Sequence, residues 1–154
     1  MVGVNFYEAQ AYAGWISMVA GTIYRLPDEI EWEKASRGTD GRMYPWGKGW
    51  DSSRCNTIES HIYTTSPIGL FENGRSPYDI FDAAGNVYEW TNNWYQPYQG
   101  SSMISDDFGE KYRVLRGGSW ENIRGYARCA CRGRVVPDYF NYYIGFRLLS
   151  PGAC

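Results

Sequence analysis

The chain has 154 residues, enough for one domain around one core, and a core of that size needs neither a metal nor a disulfide merely to fold. Its 15 basic and 17 acidic residues give a formal charge of −2 and form no basic stripe, so nucleic acid is not expected as a partner. No apolar run approaches the roughly 18 residues of a membrane span, so membrane insertion is not expected either.

Met1 leads into Val-Gly-Val-Asn-Phe without a basic segment or an apolar stretch, so no signal peptide is read. Aromatic residues make up 18% of the chain, with 14 Tyr and 7 Trp beside 18 Gly. That mix predicts a loop-rich fold held by aromatic packing. The whole of 1–154 reads as one domain, without linker or repeat.

In chain order, Asn5 with Glu8 three residues later forms a capping-box pattern. Phe6, Ala9, Ala13 and Ile16 follow at helical spacing, and Gly21 is a stop. A short strand is expected at residues 23–26. Asp28 and Glu31 then repeat the capping logic, for a helix running through Ser36 with Gly38 beyond it. From Gly41 to about Asp79 the chain reads as loop, with Tyr44, Trp46, Trp50, Tyr63 and Phe71 as anchors into the core. Strands are expected at 87–94, 113–120, 126–132 and 142–149, with a bulge or close backbone approach at Gly117-Gly118. Cys55, Cys129, Cys131 and Cys154 make no CxxC pair or zinc spacing, and His61 is the lone histidine, so free structural cysteines are the favoured reading over a disulfide.

Seven segments together carry a resemblance. They are Val2-Gly-Val-Asn-Phe-Tyr-Glu-Ala-Gln-Ala-Tyr12, Tyr24-Arg-Leu-Pro-Asp-Glu-Ile-Glu-Trp-Glu-Lys-Ala35, Tyr44-Pro-Trp-Gly47 and Pro67-Ile-Gly69. Further on come Ala84-Gly-Asn-Val-Tyr-Glu-Trp-Thr91, Arg113-Val-Leu-Arg-Gly-Gly-Ser-Trp120 and Ile144-Gly-Phe-Arg147. In this order the chain resembles the formylglycine-generating-enzyme (sulfatase-modifying factor) family over nearly its full length. The resemblance implies an α+β, C-type-lectin-like fold, with two helices, small twisted antiparallel sheets and long loops.

The same resemblance implies where that family's chemistry would lie. A pair of cysteine thiolates binding Cu(I) follows the Gly-Gly-Ser-aromatic motif, a soft-ligand match. Here Gly117-Gly118-Ser119-Trp120 is followed by Glu121, Asn122, Ile123, Arg124, Gly125 and Tyr126, with no cysteine. Cys129 and Cys131 sit two apart on an expected strand and are the available substitutes for a copper pair. A sulfoxide synthase of the ergothioneine type, a second enzymatic relative, brings an additional helical domain with histidine iron ligands, which this chain lacks. The expectation is that the chain is not an enzyme, and the alternative is a copper oxidoreductase acting on cysteine. No cofactor is required on this reading, although calcium remains open. Carried over by position, Asp82 and Glu89 would supply side-chain oxygens to Ca²⁺, and Gly85 and Val87 backbone carbonyls. Equally open, Asp82 caps a turn while Asn86 and Glu89 satisfy buried backbone groups.

The stretch 115–146 also resembles the diversified part of the variable proteins of diversity-generating retroelements, in which template adenines are randomised, mostly in Asn (AAY) codons. Asn122, Ile123, Arg124, Gly125, Tyr126, Gly133, Arg134, Val135, Val136, Tyr139, Phe140, Asn141, Tyr142 and Tyr143 are all reachable from AAY by changing adenines alone. Glu121 is not. Tyrosine gives large contact area at low entropy cost, and Arg joins it at hot spots. Half-buried strand tyrosines are the competing explanation. The expected role is recognition of a protein or other cell-surface ligand, from a virion or cell surface.

Overall fold

The computed structural model describes residues 1–150, so Cys154 lies outside the described residues. Helix α1 spans Phe6–Ala20. The Asn5 side chain accepts from the Glu8 amide at 2.9 Å, and the Glu8 carboxylate accepts from the Asn5 amide at 2.8 Å, which satisfies two donors that the first turn leaves unpaired. Gly21, at φ 65°, ends it in the left-handed region. Phe6, Ala9 and Ala13 form its buried stripe. Helix α2 spans Glu29–Arg37 behind a second capping box made by Asp28 and Glu31, and buries Glu29, Trp32 and Ser36.

One four-stranded sheet completes the regular structure. Its strands are β1 (Tyr88–Trp94), β2 (Arg113–Arg116), β3 (Gly133–Val135) and β4 (Ile144–Gly145), in the order β3-β2-β1-β4. The β1/β2 and β2/β3 pairs are antiparallel, and β1/β4 is parallel. The fold is thus the expected α+β lectin type, but with a single mixed sheet in place of several antiparallel ones. Phe6, Ala9, Leu26, Trp90, Leu115 and Ile144 make the core between α1 and the sheet. Isolated bridges from Val2 to Gly145 and from Arg25 to Leu149 lash the two ends of the described chain together.

Four expected strands contract, and 113–120 keeps only Arg113–Arg116 because the chain turns at Gly117-Gly118. Residues 23–26 keep only the Arg25 bridge, and 142–149 keeps β4 and the Leu149 bridge. Residues 126–132 form turns. There the Tyr126 amide donates to Ile123, the Cys131 amide to Arg128 and the Cys129 amide to Met43, so no ladder partner is left to find. The long loop from Gly41 onward carries three short 3₁₀ turns, Ser52–Arg54, Ile58–Ser60 and Glu72–Gly74. Tyr44, Trp46 and Trp50 anchor it as a mutually packed trio. Tyr63 does not anchor it: the side chain is exposed and bonds His61 Nδ1 at 2.8 Å.

Candidate ligand-binding surface

The frame of the C-terminal stretch is set by a buried charge network. The Arg116 guanidinium, fully buried, donates to Glu29 at 3.2 Å, to Glu33 at 2.7 Å and to the Cys129 carbonyl at 2.6 Å. Arg132 also donates to Glu29, at 2.6 Å, and its guanidinium lies over the Tyr95 and Tyr98 rings. Desolvated cations of this kind persist only when paired and hydrogen-bonded, as here. The network pins α2, β2 and the turns at 128–132 to one another.

After β2 the chain must turn sharply. Gly118, at φ 73°, allows it, and a Cβ there would lie 2.9 Å from the Tyr126 carbonyl carbon. The Asn122 side chain then accepts from both the amide and the hydroxyl of Ser119, at 3.0 and 2.9 Å. Its own carbonyl accepts from Ile58, and the Arg124 amide donates to Glu59 at 2.9 Å. Asn122 is therefore committed to the turn.

None of the candidate variable residues is buried. Ile123, Arg124, Tyr126, Arg134, Tyr139, Phe140 and Tyr142 are exposed, and Gly125 borders open space. Val136, which shares their codon pattern, is exposed too. Tyr142 stacks on Trp120 with ring centroids 5.8 Å apart and donates to Glu121 at 2.9 Å. The Tyr139 and Tyr143 hydroxyls meet at 3.3 Å, and Asn141 donates to Tyr139 at 2.9 Å. That shared hydrogen bond pushes the Tyr143 phenol up to about 12 and lowers that of Tyr139. Arg134 pairs with Asp107.

A cavity of about 250 Å³ opens in this region, with Leu115, Val135 and Ile144 as an apolar floor and Tyr88, Tyr139 and Tyr143 as walls. Gly133 keeps it open, since a Cβ there would lie 3.1 Å from the Tyr88 ring and 3.2 Å from Leu115. Val135 and Tyr143 pack against the core. The thirteen sites proposed for ligand contact thus divide into an outward set and a supporting set of Asn122, Gly133, Val135, Asn141 and Tyr143. Trp120 and Glu121 belong to the surface although their codons carried no sign of it, and Tyr88, outside the 115–146 stretch, lines its cavity. The contacts of Tyr142 reveal Trp120 and Glu121.

The other candidate chemistry lies elsewhere. Burial pushes the Cys129 and Cys55 thiols up to about 12 and raises that of Cys131. A thiol held protonated is a poor soft-metal ligand. Cys55, Cys129 and Cys131 are all free, as expected.

The calcium set does not fit a metal. Both oxygens of Glu89 accept from Arg147, and one also accepts from the Trp32 indole at 2.6 Å. Arg147 reaches on to the Phe81 and Asp82 carbonyls. Asp82 accepts from the Gly69 amide at 2.9 Å, and burial raises its carboxyl above the ordinary range. Gly85 and Val87 would add two carbonyls, well short of the six to eight free oxygens Ca²⁺ takes. Among the described residues no group of three acids, histidines or cysteines converges on a metal position.

The chain matches the model of the sulfatase-modifying factor enzyme 1-like domain over residues 1–151. It is 40% identical to the serine/threonine-protein kinase Pkn1 of Chlamydia trachomatis, covering 96% of this chain and 23% of that protein. It is 35% identical to hercynine oxygenase of Mycolicibacterium smegmatis, covering 94% of this chain and 36% of that one. With the formylglycine-generating enzyme of Streptomyces coelicolor it shares 36% identity over 96% of this chain and 51% of the enzyme. The chain thus spans about a quarter to a half of these curated relatives. Among solved structures, PvdO of Pseudomonas aeruginosa superposes with a TM-score of 0.80 at 26% identity, covering 97% of this chain and 60% of that one. Variable protein 1 of Treponema denticola gives 0.80 at 22% identity, covering 96% and 69%, a likeness of fold.

These relatives correct one expectation. The absence of a cysteine pair after Trp120 suggested that the chain is not an enzyme, yet all three of these curated relatives are named as enzymes. This domain accounts for only part of each, so one missing motif within it cannot decide catalysis.

Proposed function

Since the chain belongs to the sulfatase-modifying factor enzyme 1-like domain family, we propose that it acts as a ligand-recognition domain, with diversified side chains displayed on a rigid lectin-type frame. The observation that carries this reading is the exposure of the tyrosines. Tyr126, Tyr139 and Tyr142 are 48%, 37% and 57% exposed, where half-buried strand residues would be covered. Rigid aromatic rings around a small apolar cavity, with arginines beside them, have the composition of a protein-binding paratope. The frame beneath does not depend on the outward side chains, because Asn122, Gly118 and the Arg116 network hold it.

The reading supports a protein or other surface molecule as the ligand. Its test is genomic: sequencing around the gene should find a reverse transcriptase and a near-copy of the coding region for 113–146 that differs at template adenines. Absence of both removes the proposal.

Oxidative chemistry on cysteine is a second reading, favoured by relatives named as enzymes. It predicts tight Cu(I) binding that disappears in Cys129→Ser/Cys131→Ser. No copper binding by the wild-type chain removes that mechanism.

A further inference from the structure

A cavity of about 330 Å³ opens at the end of α2, between the 41–43 loop and the turns at 128–130. None of its lining residues belongs to the set proposed above for ligand contact. Arg37, Arg42 and Arg128 form its walls, with Gly41, Met43 and Ala130 between them. Three guanidiniums therefore line one cavity, and no carboxylate lines it with them.

Two of the three are fixed from outside. Arg37 donates to Glu33 at 2.7 Å and to the carbonyls of Arg42 and Gly41 at 3.2 and 3.4 Å. Arg42 makes a two-bond pair with Asp40 and donates to the Pro45 carbonyl at 2.9 Å. The Cys129 amide donates to the Met43 carbonyl at 2.9 Å, which stitches the two sides of the cavity together. Arg128 differs. Its Nε donates to the Gly125 carbonyl at 3.0 Å, and among the described residues no acid pairs with it and its Nη1 and Nη2 groups have no partner. A guanidinium carries five N–H donors, so the four on these two nitrogens stay free.

The surrounding charges do not cancel. Ion pairs run from Arg37 to Glu33, on to Arg116, Glu29 and Arg132, and separately from Arg42 to Asp40. With Arg128 these are five arginines against three acids, a local charge of +2 in a chain whose formal charge is −2. The next charges along, Arg124 and Glu59, meet where the Arg124 amide donates to Glu59, and offset each other. Gathering guanidiniums on one cavity works against their mutual repulsion, and an anion placed among them relieves it.

We propose that this cavity binds the phosphate of a small phosphomonoester, held by Arg128 with Arg37 and Arg42 and carrying its organic body on Met43 and Ala130. The planar fork of arginine matches phosphate oxygens in pairs, and a dianion matches the local excess. A carboxylate offers half that charge and two oxygens in place of three. The volume suits a small molecule, near the lower end of the roughly 300–1,000 Å³ of such sites.

The probe is phenyl phosphate, titrated calorimetrically into the full chain at pH 7.5 beside benzoate, benzyl alcohol and a phosphoserine decapeptide. Phenyl phosphate should bind at least tenfold more tightly than benzoate, with the alcohol ineffective and the Met43 and Ala130 amide resonances shifting as it is added. Its affinity should fall severalfold at pH 5, where the ester, with a second pKa of about 6, becomes a monoanion. Arg128→Gln removes an exposed side chain with one hydrogen bond, so it should fold, and it should weaken binding about tenfold or more, as losing charged hydrogen bonds does. Lys48→Gln, an exposed cation outside the cavity, should leave the affinity unchanged. Equal binding of phenyl phosphate and benzoate, an unaltered affinity in Arg128→Gln, or an equal loss in Lys48→Gln would overturn the proposal. Tighter binding of the decapeptide overturns it in favour of a phosphorylated protein. If Arg128→Gln fails to fold, the wild-type resonances decide: their shift supports the site, and unmoved Met43 and Ala130 amides remove it.

Discussion

Arg147 and Glu89 face each other across 58 residues of sequence, the Arg147 Nη2 group donating to Glu89 Oε1 at 2.6 Å while its Nε donates to the other oxygen. The pair welds the segment after β4 to the start of β1, and the Trp32 indole adds α2 to the same carboxylate. Three elements far apart in sequence therefore meet on one acid.

Removing that acid should be costly. Glu89→Ala leaves a half-buried guanidinium without its counter-charge, so the cost should fall below the about 3–5 kcal/mol of a fully buried pair. Urea unfolding should show the midpoint falling with an unchanged slope. Calcium or a chelator, by contrast, should leave the wild-type midpoint where it is, because the carboxylate is already engaged.

The glycines of the C-terminal stretch should separate. Gly118→Ala combines a positive φ with a Cβ 2.9 Å from backbone, and should cost about 1–3 kcal/mol or more. Gly125→Ala, bordered by open space at an ordinary φ, should stay within about 0.5 kcal/mol of the wild type. Gly133→Ala should fall between them, limited by how far the Tyr88 ring gives. Thermal melts of the three variants decide the order.

Randomising the outward set together should spare the fold. A library varied at Ile123, Arg124, Tyr126, Arg134, Tyr139, Phe140 and Tyr142 should yield mostly protease-resistant members, because exposed substitutions usually stay within about 0.5 kcal/mol each. A library varied at Asn122, Gly133, Val135 and Tyr143 should yield mostly cleaved ones. Equal survival of the two libraries would contradict the division into surface and support.

Alkali should destabilise the protein through its thiols. Cys55 and Cys129 have folded-state values pushed up to about 12 from a reference of 9.0, so the folded state holds protons that the unfolded chain releases. Their contribution is fully present below pH 9 and is lost as the pH climbs from 9 toward 12. Chemical denaturation at a series of pH values should show stability falling over that window, and Cys55→Ala/Cys129→Ala should shallow the fall. Against a thiol reagent at neutral pH, half-buried Cys131 should react before the two buried cysteines.

Much of the frame was legible in the sequence because it is local. The capping boxes at Asn5/Glu8 and Asp28/Glu31 and the stops at Gly21 and Gly38 involve residues within one or two turns, and the helices formed where those signals stood. The family and fold followed from motif order along nearly the whole chain, and the model match over 1–151 agrees. The free state of Cys55, Cys129 and Cys131 followed from spacing.

What only the tertiary structure decided was which polar groups find one another. Arg116 belongs to an apolar-flanked strand in sequence, yet its partners lie on α2 and in the 128–132 turns, and those turns replace an expected strand because Met43 and Arg116 take the Cys129 backbone groups. Glu89 carries a metal-ligand pattern, but Arg147 reaches it first. Likewise the codon pattern treats Asn122 and Tyr126 alike, whereas one side chain caps Ser119 and the other stands in solvent. Local spacing specifies helices, caps and turns through contacts a few residues long. The surface, the cavity and the spent calcium ligands depend on contacts between residues tens of positions apart, which no spacing records.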